Sequence, residues 1–194
     1  MKIKAYNSIL NFYNNKINFG DKIGDENVKK MTDDGYKFYH EVDLISPKGE
    51  SIKGDSYVRD YSKDFKRSCS VSCIITDKEG YQLGGISFSD DYEEPSMVRT
   101  SLRNYTEKNT PKNFMQTDYK TRSWEDGKVG HVGSSAYKIL EQYCKEHFPQ
   151  IKGIKTYIIS SDSWDFHKKM GFDDGGFEYD SYDELNKVMR KKIK

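Results

Sequence analysis

The loop before a helix-like segment near residue 134 carries small residues in a pattern that suits anion binding. Its members are Lys128, Val129, Gly130, His131, Val132, Gly133 and Ser134. Small residues at a helix start leave backbone N–H groups open, and these groups act with the helix dipole to attract an anion such as a pyrophosphate. The loop therefore predicts a phosphate site. The alternative is an ordinary helix start that binds nothing.

A second polar segment, at residues 160–172, carries a histidine that could transfer a proton. It opens with Ser160 after a strand-like apolar run, continues as a short helix-like stretch that includes His167, and ends at Gly171-Phe172. An unperturbed histidine has a pKa of about 6.5, so its ring can be charged or neutral near pH 7. The alternative for His167 is a ring that packs or points to solvent. The alternative for Ser160 is simple helix capping, with Ser161 or Asp162 satisfying the free N–H groups.

The cysteines and histidines do not fall at the spacing of a metal site. Cys144 and His147 lie three positions apart on one helix-like segment, and no second close pair of ligands accompanies them. A structural metal site needs about four ligands in a tetrahedral arrangement. We therefore expect no bound metal.

Alternation of apolar and polar residues predicts strands in the first half of the chain. The predicted elements are helices over 5–17 and 25–31, and strands over 36–44, 51–61, 69–75 and 81–88. The last two strands are joined by a polar turn at 77–80 and should form a hairpin.

The second half of the chain alternates between helix and strand patterns. The predicted elements are some helix near 98–105 within a long polar loop, a strand over 113–124, a helix over 134–147, a strand over 154–159, a turn at 173–176, a short strand over 177–179, and a terminal helix opened by a capping box at 181–184. The order indicates an α+β or mixed α/β fold, with a β-rich N-terminal part and a C-terminal helix.

Length, charge and cysteine content narrow the class of protein. The 194 residues suit one domain, and a net charge of +1 creates no field that would attract nucleic acid. Three cysteines without a CxxC pair favour a reducing, cytoplasmic setting. No signal peptide is visible, and no apolar run is long enough to cross a membrane.

The downstream motif resembles one found in GNAT-type N-acyltransferases. Residues 166–172 read FHKKMGF and are similar to that family's Phe-Tyr-x-Lys-x-Gly-Phe, with His167 in place of the tyrosine and Lys169 at the lysine. The order of hairpin, helix, strand and short helix is also similar. The resemblance is strongest over residues 69–172 of the single domain, 1–194, and it implies a GNAT-like central mixed sheet flanked by helices.

The upstream loop is similar to the same family's pyrophosphate loop, Arg/Gln-x-x-Gly-x-Gly/Ala. The better register places Lys128 at the first position, His131 at the first small residue and Gly133 at the second. A shifted register through Gly130, Gly133 and Ser135 loses the basic residue.

This resemblance implies an acetyl-CoA-dependent N-acetyltransferase that acts on a primary amine of a protein or small molecule. It implies that the backbone of residues 128–134 holds the coenzyme's diphosphate. It also implies that the pantetheine lies between two splaying parallel strands, at 113–124 and 154–160. Ser160 and Lys169 would contribute to cofactor binding.

The replacement of the family's tyrosine by His167 leaves the activity open to two interpretations. In an active enzyme, the resemblance assigns His167 as the general acid that protonates the departing CoA thiolate, with no base assigned. The alternative is a catalytically silent relative that binds a partner protein through the same fold. An unrelated α+β module is a third interpretation.

Overall fold

The computed structural model describes residues 22–104, 129–158, 160–179 and 183–193. The helix expected over 5–17, the strand expected over 113–124 and the loop residue Lys128 lie outside these described residues. The elements are α1 (Lys22–Asp33), β1 (Lys37–Ile45), β2 (Ser51–Asp60), β3 (Ser70–Asp77), β4 (Gln82–Asp90), β5 (Met97–Asn104), α2 (Val132–His147), β6 (Gly153–Ile158), α3 (Ser161–Lys169), β7 (Asp173–Tyr179) and β8 (Leu185–Lys192). The predicted mixed α/β fold class is confirmed.

One eight-stranded sheet organises the fold, with the strand order β1-β2-β3-β4-β5-β6-β8-β7. Neighbouring strands are antiparallel except for β5 and β6, which run parallel. Strands β1, β3, β5, β6 and β7 therefore point the same way. Their last residues lie along one edge of the sheet, which we call the C-terminal edge.

Helix α2 covers one face of the sheet over β3 and β4. Alternation along these strands turns Val71 and Ile75 of β3 and Phe88 of β4 toward the helix, and all three are buried. The Tyr137 ring of α2 meets the rings of Phe88 and Phe172 edge-on, with centroids 5.4 and 5.5 Å away. A smaller cluster beside α1 occupies the opposite face and contains Met31, Tyr36, Tyr57 and Ile74.

The helix predicted near 98–105 is wrong, because this segment is strand β5. It pairs with β4 from Val98, opposite Asp90, to Asn104, opposite Gly84. Val98 is fully buried with the core beneath α2 while its neighbour Arg99 faces the other side, which is the period of two of a strand. Most residues of β5 are polar, so its alternation of buried and outward-facing residues could not be recognised in the sequence.

The predicted C-terminal helix is also wrong, because the chain after residue 184 forms β8. This strand lies between β6 and β7, so both of its edges are hydrogen-bonded. Val188 and Met189 are adjacent in sequence, point to opposite faces and are both fully buried. Pairing on two sides overrides the helical preference of the segment.

The turn predicted at 173–176 falls inside β7, where the register shifts between Asp174 and Phe177 as in a β-bulge. The other predicted elements within the described residues are confirmed, with their ends displaced by a few residues.

Candidate active site

Strands β5 and β6 separate after a short stretch of parallel pairing. Their paired residues are Met97 with Gly153, Val98 with Ile154, and Arg99 with Lys155. Beyond that point β5 stays paired with β4 up to residue 104, and β6 stays paired with β8 up to residue 158. Among the described residues no further pair joins β5 to β6. We call this divergence, between residues 100–104 and 156–158, the fork.

The fork opens toward the C-terminal edge and presents backbone donors and acceptors along its two inner edges. In a continuous sheet these groups would pair with the neighbouring strand. A ligand with amide groups can pair with them instead. The family resemblance implied such a pair between a strand at 113–124 and the strand at 154–160. The partner in the structure is β5, so this prediction is corrected.

Two buried hydroxyl groups beside the fork have no hydrogen-bond partner among the described residues. They are the Oγ1 of Thr100, the first β5 residue past the pairing, and the phenol of Tyr157 on β6. Thr100 follows the alternation of Val98 and lies on the α2 face. Tyr157 lies on the other face, where its ring centroid is 5.2 Å from the Arg99 guanidinium carbon. Sequence reasoning missed both residues, because a threonine and a tyrosine in strands carry no motif.

Helix α2 begins at the same C-terminal edge, next to the last residue of β1. The Gly130 N–H donates to the Ile45 carbonyl at 2.7 Å, and the Ile45 N–H donates to the Gly130 carbonyl at 3.2 Å. A β-carbon on Gly130 would lie 3.2 Å from Ile45 Cβ, so the close approach favours glycine. The Gly130 amide is therefore used by the protein and is not available to a ligand.

The first turn of α2 combines open amides with an absence of negative charge. His131 precedes the helix in the left-handed region, at φ 68°, is exposed, and makes no side-chain cap. No acidic residue lies in this turn, and the Ser134 hydroxyl donates to the His131 carbonyl at 3.1 Å. Helix geometry leaves the amides of Val132, Gly133 and Ser134 without acceptors inside the helix. Val129 and Val132 themselves are buried in the core.

Helix α3 begins at the C-terminal edge as well, but its first turn is closed by its own side chains. Ser160 is the N-cap, and its Oγ accepts the Ser163 N–H at 3.2 Å. Asp162 adds a negative charge to the same turn. Capping was the expected alternative, with Ser161 or Asp162 as the capping residue, but in the structure the cap is Ser160. Cofactor binding by Ser160 and by the exposed Lys169, at the end of α3, stays a prediction.

His167 packs into the core from α3. Its side chain is 4% exposed, and its ring lies edge-on to Phe166 and Phe172 at centroid distances of 5.1 and 5.0 Å. Its Nδ1 lies 2.7 Å from the Ser163 carbonyl, so Nδ1–H is the donor and Nε2 carries no proton in the neutral ring. Burial lowers the pKa of His167, and the bond to Ser163 opposes this only in part. The ring is neutral at pH 7.

Gly171 and Phe172 complete the motif at residues 166–172. Gly171 has φ 83°, a left-handed conformation that ends α3 and suits glycine. Phe172 is 2% exposed and joins the ring cluster beneath α2. Gly171 and Phe172 therefore have a structural role, since they end α3 and fix it against the core.

No set of His, Cys, Asp and Glu side chains suited to holding a metal ion occurs in the part of the chain that the structure describes. Nor does any helix there have the length and apolar character to cross a membrane.

Comparison with known proteins returns structural matches only. No family model and no curated protein sequence matches the chain. Many solved structures similar to it are GNAT-superfamily N-acetyltransferases. An N-acetyltransferase from Staphylococcus aureus Mu50 matches with 14% identity and a TM-score of 0.44, over 69% of this chain and 72% of that one.

Two further matches have similar scores. A ribosomal-protein-alanine N-acetyltransferase from Brucella melitensis matches with 12% identity, a TM-score of 0.45, and coverage of 69% of this chain and 72% of that one. A GNAT superfamily phosphinothricin acetyltransferase from Sinorhizobium meliloti, in complex with AcCoA, matches with 13% identity, a TM-score of 0.46, and coverage of 69% and 65%. The functional proposal below rests on the geometry of this chain.

Proposed function

We propose that this protein is an N-acetyltransferase that moves an acetyl group from acetyl-CoA to a primary amine. The observation that carries the proposal is the fork between β5 and β6, whose inner strand edges have no pairing partner within the described ranges and can therefore bind an extended ligand. The pantetheine arm of CoA is such a ligand, since it is narrow and carries two amides that can bond to strand edges.

The unpartnered hydroxyls fit the same ligand. A buried hydroxyl without a partner costs free energy, on the order of 1–3 kcal/mol. Thr100 and Tyr157 carry such groups on the two strands of the fork, and polar groups of a bound ligand would satisfy them. The amides of residues 132–134, with no acidic neighbour in that turn, supply donors for the coenzyme's phosphates at the same edge of the sheet.

The chemistry requires little from protein side chains. Acetyl-CoA supplies a thioester whose carbonyl carbon is attacked by the amine, so that a C–N bond forms, the C–S bond breaks, and solvent takes the amine proton and protonates the thiolate. The chain holds the thioester and the amine together, and backbone amides of the fork can donate to the carbonyl oxygen. General-acid catalysis by His167 stays a prediction. It would require the protonated ring, because in the neutral ring Nδ1 carries the proton and Nε2 has none to donate.

Isothermal titration with acetyl-CoA tests the proposal, with adenosine as the comparison ligand. We expect binding of acetyl-CoA and none of adenosine at equal concentration. Release of free thiol in the presence of a panel of primary amines then tests turnover. Absence of binding at millimolar acetyl-CoA would exclude the enzyme and favour the silent protein-binding interpretation.

Thr100→Val separates a ligand contact from a structural one. The substitution keeps the shape of the side chain and removes a hydroxyl that has no hydrogen-bond partner among the described residues. We expect unfolding stability to stay equal or rise, while acetyl-CoA affinity falls about fivefold through the loss of one hydrogen bond. Tyr157→Phe repeats the test on β6. Thr156→Val is the matched control, because the Thr156 hydroxyl already donates to the Tyr157 carbonyl, at 3.4 Å.

A further inference from the structure

A fully buried carboxylate, Asp91, lies where the fork closes. Its side chain has 0% exposure, its Oδ2 accepts Arg99 Nε–H at 2.9 Å, and the same oxygen lies 2.7 Å from Lys155 Nζ. Its Oδ1 accepts Arg99 Nη2–H at 3.2 Å and the Glu93 backbone N–H at 3.0 Å. Both oxygens of Asp91 are thus engaged, and Oδ2 contacts side chains from two strands, β5 and β6.

The two cations bound by Asp91 stand at the last paired position of β5 and β6. Arg99 and Lys155 are register partners, and beyond them the strands diverge. Strand alternation turns both side chains to the face opposite α2. Among the described residues, the other carboxylate that contacts both cations is Glu93, which lies 3.2 Å from Arg99 and 3.9 Å from Lys155 and is 61% exposed, so Asp91 is the buried anion that these two cations share.

Acidic residues extend this network to the other strands beside the fork. Lys155 Nζ lies 3.1 Å from Glu94 and 3.1 Å from Glu178 of β7. Arg190 of β8 binds Glu94 at 2.7 Å and also pairs with Glu178. The network therefore joins the β4–β5 connection to β5, β6, β8 and β7.

This network lies where the backbone pairing of the sheet is weakest. β5 and β6 share pairs at three positions, whereas β4 with β5 and β6 with β8 pair along whole strands. Burial raises the pKa of Asp91, but the hydrogen bonds from Arg99 and Lys155 outweigh burial and hold the pKa at about 2. The carboxylate is ionised throughout the physiological pH range, so its charge is always available to the two cations.

We propose that Asp91 is a positioning residue for the acyl-donor slot: by sharing its carboxylate between Arg99 and Lys155, it fixes where β5 and β6 part. This inference rests on the proposed function for the identity of the ligand. Asp91 acts through the two strands and does not itself touch the reacting atoms.

The test compares Asp91→Asn and Lys155→Met with Asp90→Asn. Asn removes the charge at nearly constant shape. Met replaces a buried ammonium by an apolar chain, breaks the tie to β6 and leaves the Arg99 pair in place. Asp90 is the matched control, because it is a half-buried carboxylate at the end of β4 whose side chain bonds to Arg67 and Ser68 and not to Arg99 or Lys155.

Two quantities are measured on full-length protein, at a temperature where each variant is folded by circular dichroism. The first is amide hydrogen exchange at 97–99 and 153–155, without ligand. We expect Asp91→Asn and Lys155→Met to exchange about tenfold faster there than Asp90→Asn, because the strands separate locally. The second is acetyl-CoA affinity, which should fall about tenfold in the first two variants and stay unchanged in the third.

The exchange data test whether Asp91 holds β5 to β6, and the affinity data test whether the acyl-donor slot depends on it. Equal exchange in all three variants overturns the proposal, and so does faster exchange with unchanged acetyl-CoA affinity, since the slot would then not depend on Asp91. If the wild type binds no acetyl-CoA, the proposed function fails, while the exchange data still show whether Asp91 holds β5 to β6. If Asp91→Asn does not fold, Lys155→Met supplies both measurements.

Discussion

Helices α2 and α3 both begin at the C-terminal edge of the sheet, yet their first turns differ. The turn of α3 is closed by a serine cap and carries a carboxylate from Asp162. The turn of α2 has no side-chain cap, no acidic residue, and His131 in a left-handed conformation before it. A helix start whose amides are left open and whose first turn carries no acidic side chain suits an anionic ligand. The start of α3, where Ser160 accepts a backbone N–H of the first turn, has a structural role.

The largest expected effect comes from a negative charge in the open turn. Gly133→Glu should weaken CoA binding by on the order of 100-fold or more, because it places a carboxylate where the diphosphate is proposed to bind. Gly133→Gln, which adds the same bulk without charge, should lose less. Ser161→Glu adds the same charge to α3 and should change affinity less than twofold. Isothermal titration of the three variants measures this, and equal losses in α2 and α3 would erase the distinction between the helices.

The next effect concerns turnover and α3. A general acid contributes a factor on the order of 100 to turnover. Because His167 is buried and neutral, we expect His167→Gln to lower kcat at pH 8 less than about tenfold, with little change in acetyl-CoA affinity. A hundredfold loss of kcat at constant affinity would restore the role that the sequence assigned to this residue. If His167 is the general acid, kcat of the wild type should also fall as the pH rises through the pKa of His167, and this fall should be absent in His167→Gln.

Stability should respond with opposite signs at the two helix starts. Ser160→Ala removes the cap of α3 and should cost about 1 kcal/mol of unfolding free energy. His131→Gly removes a side chain from a left-handed position and should add on the order of 0.5 kcal/mol, since relief of strain is offset in part by the flexibility of glycine in the unfolded chain. Urea unfolding at pH 7.5 measures both. A loss of stability in His131→Gly would show that the start of α2 is not strained.

A smaller, pH-dependent effect also belongs to α3. The folded state lowers the pKa of His167 below its unfolded value near 6.5, so the unfolded chain binds the proton first as pH falls. Stability should therefore decrease as pH drops from about 6.5 toward the lowered pKa. His167→Gln should lose this part of the pH dependence, with the rest of the profile unchanged. An identical slope in wild type and variant would mean that another group is responsible.

The parts of the fold that could be predicted from the sequence are those that depend on residues close to one another along the chain. The β3–β4 hairpin, helix α2 and strand β6 follow from periodicity, turn residues and caps, which are properties of neighbours along the chain. Strand β8 could not be predicted in this way, because its capping box and residues such as Leu185 favour a helix. Only pairing with β6 and β7, which are distant in sequence, makes it a strand.

The candidate site likewise has one part that the sequence predicted and one part that it did not. Gly133 and the open turn of α2 were visible as small residues before an amphipathic helix. The fork was not, because β5 is polar and its register partners on β6 lie 56 positions downstream, as Ile154 does from Val98, with α2 in between. Asp91, Arg99 and Lys155 look like ordinary surface charges in the sequence, and only burial and register show them as one cluster.

The structure of the protein with bound CoA would show whether the fork is the acyl-donor slot. We expect the pantetheine arm between residues 100–104 of β5 and 156–158 of β6, hydrogen-bonded to both strand edges, with the Thr100 hydroxyl now partnered. A fork filled by the protein's own side chains, with CoA bound elsewhere or not at all, would contradict this expectation.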